Sequence, residues 1–225
     1  MSNVTLARPW LTFDLGAQMQ VLSWAVNRPG FVMSDRIVWR EVRNADLPRD
    51  LDVVEWFTQQ LAERGDAGSV AFLTSRDVTF YSRSIVTVGQ TTAQCLATVG
   101  LSNAERVGHR MDRSGMDWGT INVALKLDTP LSQTGLIETM SIATQARTTA
   151  VIDAAFELST GVATGTGTDC IAVAAPPGKT DYAGLHTEVG EAAGAAVYRA
   201  TFEGAQQWKA DVHPQFIGKA GYAGT

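Results

Sequence analysis

The sequence predicts an α+β fold: a single domain in which a mixed, mostly antiparallel β-sheet is covered by α-helices. Three observations predict it. Short strand-like runs crowd residues 10–42, two long alternating strands occupy 91–101 and 119–127, and two long helical segments occupy 133–158 and 187–208.

Taken in order, residues 10–14 and 20–26 read as short strands. The turn NRPG at 27–30 separates the second from a third at 36–42, and the three make an antiparallel start. Trp24 and Trp39 read as packing residues with no ligand role. Residues 44–50 form a polar loop around Pro48, and Asp50 is placed to cap a helix over 51–64. There Val53, Val54, Phe57 and Leu61 keep helical spacing. Residues 65–68 end that helix, 69–74 read as a buried strand, and 76–81 as its exit or a loop.

The pattern then changes to long strands. Residues 91–101 alternate Ala93, Cys95, Ala97, Val99 and Leu101 on one face. Residues 119–127 set Ile121, Val123, Leu125 and Leu127 on one face, with Asn122 and Lys126 on the other. The polar connection at 102–118 is long for a hairpin, and long ordered loops tend to carry function. Pro130 and Ser132 announce the helix over 133–158, where Ala143, Ala146, Ala150 and Ala154 allow close approach to a sheet. Residues 168–175 are apolar on both faces and so read as a central strand. The last helix presents Val189, Ala193, Val197 and Ala200 on one face, and its first turns hold Glu188 and Glu191, where acids complement the helix dipole. A poorly periodic tail follows at about 209–225. One domain over residues 1–225 accounts for the whole chain.

Composition narrows the function. The 225 residues are 45% hydrophobic, which suits a globular core, and the formal charge of −5 with no basic stripe argues against nucleic acid as a partner. No apolar run reaches membrane-spanning length and the first residues, MSNVTLARPW, show no secretory pattern, so no membrane partner and a cytoplasmic location are expected. Two cysteines far apart fit a reducing compartment. The three histidines are scattered and no HExxH pair occurs, so neither a metal site nor a dissociable cofactor is expected. A homo-oligomer is left open.

The most pointed stretch is ATGTGTD at 163–169. Glycine lets a ligand approach the backbone closely, and successive N–H groups in such a turn can converge on an anion or oxyanion. No Lys-Ser/Thr pair follows, so it is not a phosphate-cradling P-loop.

This block keeps specific company. GLSNAERVG lies at 100–108, GTINVALKLDTPLS at 119–132, QARTTAVIDA at 145–154 and YAGLHTEVGEAAGAAVY at 182–198. With these blocks in this order, the chain resembles the CbiZ family of adenosylcobinamide amidohydrolases. VLSWAV and VAFLTSRDV extend the likeness more loosely into the first third. The resemblance implies hydrolysis of the amide that joins the aminopropanol or nucleotide-loop arm to the corrin ring of an adenosylated corrinoid, giving adenosylcobyric acid for corrinoid salvage and remodelling. The cobalt corrinoid is then a small-molecule substrate rather than a resident cofactor. Adenosylcobinamide and adenosylpseudocobalamin are both allowed. One departure stands out: where the family is expected to read Glu-Ala-Lys, this chain reads Gln145, Ala146, Arg147, which keeps the charge but not the proton chemistry.

Amide hydrolysis needs an activated nucleophile, donors for an oxyanion and a proton for the leaving amine. Within the matched blocks Asp169 is a candidate general base or the residue that orients His186, or the cap of its own loop. His186, just before a helix, is a candidate acid for the leaving amine, or a capping residue, and Glu191 can pair with it or simply complement the helix dipole. Asn103 and Asn122 offer amides to corrin side chains. Gly165, Thr166, Gly167 and Thr168 supply loop donors, with the two threonines as weaker nucleophile candidates. Cys95 and Cys170 read as packing, while His109 and His213 are background. A corrinoid-binding or carrier module without chemistry, and hydrolysis of an unrelated secondary amide, are the competing readings.

Overall fold

The computed structural model describes residues 3–48, 50–112 and 119–212. Residues 113–118 of the polar connection and residues 213–225, including His213, lie outside that set.

Strand β1 (Val4–Ala7) runs antiparallel to the first half of β2 (Trp10–Ser23), and β2 pairs along its length with β3 (Gly30–Glu41). The two strands expected at 10–14 and 20–26 are therefore one. The register shifts between Asp14 and Met19, around Gly16 at φ 78°, whose N–H is held by Asp14 Oδ1 at 2.7 Å. Such a bulge bends a strand without ending it. Helix α1 (Val53–Arg64) is capped by Asp52, which accepts from Glu55 N, and not by Asp50: the helix begins two residues later than expected. Strand β4 (Val70–Thr74) then lies parallel to β3.

Strand β5 (Tyr81–Val88) has no counterpart in the sequence reading, which ended the preceding segment at 81 as an exit or loop. Its inner face carries Ser82, Ser84 and Val86, so alternation of burial is present but alternation of hydropathy is weak. It forms a hairpin with β6 (Thr91–Val99) through Gly89 at φ 54°. After the short β7 (Ala104–Glu105) comes β8 (Ile121–Leu127), then α2 (Gln133–Asp153), capped by Ser132. That helix stops five residues short of the expected 158. Ala155 takes φ 51°, and the chain turns into the small hairpin of β9 (Glu157–Leu158) and β10 (Gly161–Val162). This turn lets Phe156 meet Trp208 edge-on at 5.3 Å. Strand β11 (Gly165–Thr166) pairs with β7, β12 (Cys170–Ala175) follows, and α3 (Glu188–Asp211) closes the described chain.

The main sheet has eight strands in the order β4-β3-β2-β12-β8-β6-β5, with β1 beside β2. Only β3–β4 and β8–β12 are parallel, so the expected mixed, mostly antiparallel sheet is what forms, and β12 is central to it. Helices α2 and α3 cover one face, burying the row Ile121, Val123, Leu125 and Leu127 of β8. Burying such a side chain contributes about 1.5–3 kcal/mol. On the opposite face Phe13, Trp39 and Phe72 pack with Leu96, Ala124 and Ala172. The sheet curls so far that Asn122 on β8 reaches β4, donating to Leu73 O at 2.8 Å. Helix α1 sits outside, with Phe57 and Leu61 against Val38 and Ala71.

This topology gives the sheet two distinct ends. Strands β8 and β12 begin together at one end, where 119–120 and 163–169 meet. Helices α2 and α3 both begin at the other end, beyond the last residues of those strands, and run back.

Candidate active site

The loop at 163–169 is organised by Asp169. Its carboxylate accepts from four donors: Arg147 Nη1 on α2, Thr166 N at 3.1 Å, Thr166 Oγ1 at 2.5 Å, and Ile121 N at 3.2 Å. Gly165 is required for this closure, since a Cβ there would lie 2.6 Å from Asp169 Oδ2 and collide with Arg147. Burial pushes the Asp169 carboxyl up from its ordinary value, against the Arg147 cation and the Thr166 and Ile121 donors, which pull it down. All four partners donate and so occupy the oxygens that a general base would need free. The loop-capping alternative is therefore realised in the structure.

Around this anchor the remaining polar groups converge. Thr168 Oγ1 donates to Gly119 O at 3.0 Å and accepts from Asn103 Nδ2 at 3.3 Å. Thr120 Oγ1 donates to Thr168 O at 2.8 Å and faces Asn122 Oδ1 at 3.4 Å. Gly167 N donates to Asn103 O at 3.3 Å. Asn103, Asn122, Gly165, Thr166, Gly167, Thr168 and Asp169 thus form one cluster, as the sequence reading grouped them. Asn103 Oδ1 and Arg147 Nε are buried without partners.

The cluster floors a cleft of about 280 Å³. Trp24, Val26, Leu47 and Phe72 wall it, while Thr120, Asn122, Thr168 and Asp169 supply polarity at the bottom. An apolar cleft with a few convergent polar groups is the usual form of a small-molecule site. Trp24 is 46% exposed, and its indole N–H donates to Asp169 O at 2.7 Å. It is thus more than the packing residue expected. Cys170 also faces the cleft, but burial pushes its thiol up to about 12, so it is an un-ionised thiol at neutral pH.

The structure does not bring His186 or Glu191 to this cluster. Both are exposed, at the end of the sheet where α3 begins. His186 shares a separate depression with Glu138, Tyr182 and Leu185. Strand β8 alone, seven residues long, separates the two ends by about 20 Å. No Asp169–His186 contact forms in this arrangement: Asp169 precedes β12, and His186 follows it by a turn and stands just before α3. Nor does any hydrogen bond or ion pair join His186 to Glu191 among the described residues. His109 is exposed in the loop after β7.

Sequence reasoning missed Thr120 and the structural part of Arg147. Thr120 was visible in principle: it lies two residues before Asn122, on the same strand face, inside a matched block.

The cleft thus offers hydroxyls, amides and a buried carboxylate at one end of a curled mixed sheet. The chain belongs to the CbiZ family of adenosylcobinamide amidohydrolases, whose family model matches residues 2–213. No curated protein matches it in sequence. Among solved structures it is similar to a β-aminopeptidase from a Burkholderia species, with a TM-score of 0.42 and 11% identity over 87% of this chain and 78% of the other. It is also similar to the L-aminopeptidase D-Ala-esterase/amidase of Ochrobactrum anthropi, described as a variant among the Ntn hydrolase fold, with a TM-score of 0.40 and 12% identity over 90% and 82%.

Proposed function

We propose that this protein hydrolyses the amide between the aminopropanol or nucleotide-loop arm and the ring of an adenosylated corrinoid, releasing adenosylcobyric acid for salvage and remodelling in the cytoplasm. Family membership supports the reaction class and the corrinoid. The observation that carries the site is the polar floor of the cleft at the start of β8 and β12. At about 280 Å³ the cleft is at the small end for a ligand site, so it takes the amide-bearing arm and leaves the macrocycle against the apolar mouth.

In this reading the Asp169–Arg147 pair holds the loop rather than moving protons, and Thr168 with Asn103 supplies donors to the carbonyl oxygen. Asn122 orients the arm. No dissociable metal or cofactor takes part, and no helix of the described residues is long and apolar enough to cross a membrane. Mass spectrometry of the corrinoid fraction after incubation with adenosylcobinamide, with and without a chelator, tests this. The expected result is adenosylcobyric acid in both samples. Corrinoid recovered unchanged, or turnover abolished by chelator and restored by zinc, contradicts it.

A further inference from the structure

We propose that the chain cleaves its own Gly119–Thr120 peptide bond and that the freed Thr120 is the nucleophile of the amidohydrolase. The second half rests on the proposed function; the first does not.

The argument begins with what surrounds that bond. The carbonyl oxygen of Gly119 accepts from the Thr168 hydroxyl at 3.0 Å, and Thr168 in turn accepts from Asn103 Nδ2 at 3.3 Å. A chain of donors therefore polarises one particular backbone carbonyl at the bottom of the cleft. Asn103, which starts the chain, is 8% exposed, and its Oδ1 has no partner. The next residue is Thr120, 7% exposed, with its hydroxyl held toward the same loop by Thr168 O at 2.8 Å. Its backbone is pinned on the far side: Thr120 O accepts from Gly100 N at 2.9 Å, and Ile121 N donates to Asp169. Glycine at 119 is forced, because a Cβ there would lie 2.7 Å from Ser102 N and 2.9 Å from Gly100 O.

Among the described residues, what the hydroxyl lacks is a base. Its neighbours are a backbone oxygen and the Asn122 amide oxygen, and the nearby Asp169 carboxylate is taken up by four donors. A threonine hydroxyl is a weak nucleophile unless a base is adjacent, and an N-terminal amine on the same residue is one such base. An α-amino group titrates near 7.7–8.0, so roughly a tenth to a sixth of it is the free base at pH 7, and its pKa suits a general base. Cleavage before Thr120 would create that amine inside the cleft.

The step balances with water alone. Thr120 Oγ bonds to the Gly119 carbonyl carbon while the carbon–nitrogen bond breaks, and the hydroxyl proton ends on the nitrogen. Water then hydrolyses the resulting ester, leaving a Gly119 carboxylate and a free Thr120 hydroxyl and amine. In turnover, Thr120 Oγ attacks the substrate amide carbon, whose oxygen takes the place that Gly119 O occupied beside Thr168. The α-amine carries the hydroxyl proton to the departing aminopropanol nitrogen, and water releases the acid.

Intact-mass measurement of the purified protein, with no corrinoid present, reads the first half. Fragments 1–119 and 120–225 are expected, with the second beginning Thr-Ile-Asn on terminal sequencing. Thr120→Ala should stay whole and lose at least about a thousandfold in turnover, the scale on which removing a nucleophile acts. Thr120→Ser should still be cut and keep turnover within about tenfold of wild type. Circular dichroism melts establish that both variants fold. A wild-type chain that stays uncut overturns the proposal whether or not it is active, as does a folded Thr120→Ala that turns over normally. A cut protein that ignores corrinoids upholds the cleavage and counts against the substrate instead.

Discussion

Arg147 Nη1 and Asp169 Oδ2 form an ion pair inside the structure, with side chains only 12% and 8% exposed. The pair ties the middle of α2 to the loop that floors the cleft, and Arg147 Nη1 also donates to Thr164 O at 3.2 Å. Breaking a buried pair by removing one partner leaves an uncompensated charge, at a cost of about 3–5 kcal/mol. For a chain of this size each kcal/mol moves Tm by roughly 2–4 °C. Arg147→Ala should therefore lower Tm by roughly 6–20 °C, and Arg147→Lys, which restores the charge, should recover part of that loss. Unchanged melting of the alanine variant would show that the pair does not hold the loop.

The same carboxylate makes stability depend on pH. Burial raises the folded-state pKa of Asp169 above its ordinary 3.8, despite the Arg147 cation that opposes the shift. A raised folded pKa means that the folded state binds the proton more tightly. Its contribution is then full below the unfolded pKa and is lost as pH rises through the folded one. Asp169→Asn removes this titration. The stability of wild type relative to Asp169→Asn should accordingly decline as pH is raised above 3.8 and then level off, measured by denaturant melts across that range. A difference that grows with pH has the wrong sign for this account.

Distance separates the other pair of candidates. Asp169 stands where β12 begins and His186 just before α3 at the other end, with no hydrogen bond or ion pair between them among the described residues. Effects of independent distant sites add within about 0.3–0.5 kcal/mol. The loss in kcat/KM for Asp169→Asn with His186→Ala should thus equal the product of the two single losses. A combined loss well below the product would mean that they act as one unit, contrary to the structure.

Cys170 faces the cleft, yet its thiol is pushed up to about 12, chiefly by burial and further by the Asp169 charge. Cys170→Ala should keep turnover within about threefold of wild type, since an un-ionised thiol is a poor nucleophile. A hundredfold fall in a folded variant would bring the sulfur into the reaction.

Much of the fold was legible because its residues obey one period at a time. Ile121, Val123, Leu125 and Leu127 alternate cleanly, and α3 carries its small apolar stripe in full. The hidden parts have physical reasons. Ser82 and Ser84 place small polar groups on the buried face of β5, which erases the hydropathy signal. Ala155 at φ 51° ends α2 where neither Gly nor Pro marks a stop. In the site, the loop at 163–169 and its companions Asn103 and Asn122 were readable from glycine spacing and matched blocks. The distance from Asp169 to His186 was not, because it depends on which end of β12 each flanks, and sequence neighbourhood does not carry that. Thr120 could be read from its place beside Asn122 in a matched block, but its surroundings could not: the Thr168 hydroxyl on Gly119 O is a contact across 49 residues.

The central claim is hydrolysis of a corrinoid amide, and water labelled with heavy oxygen tests it most directly. Purified protein incubated with adenosylcobinamide in such water should yield adenosylcobyric acid carrying one heavy oxygen in its new carboxylate, together with an equal amount of unlabelled aminopropanol. Adenosylcobinamide recovered intact and bound in stoichiometric amount, with no aminopropanol released, would contradict it.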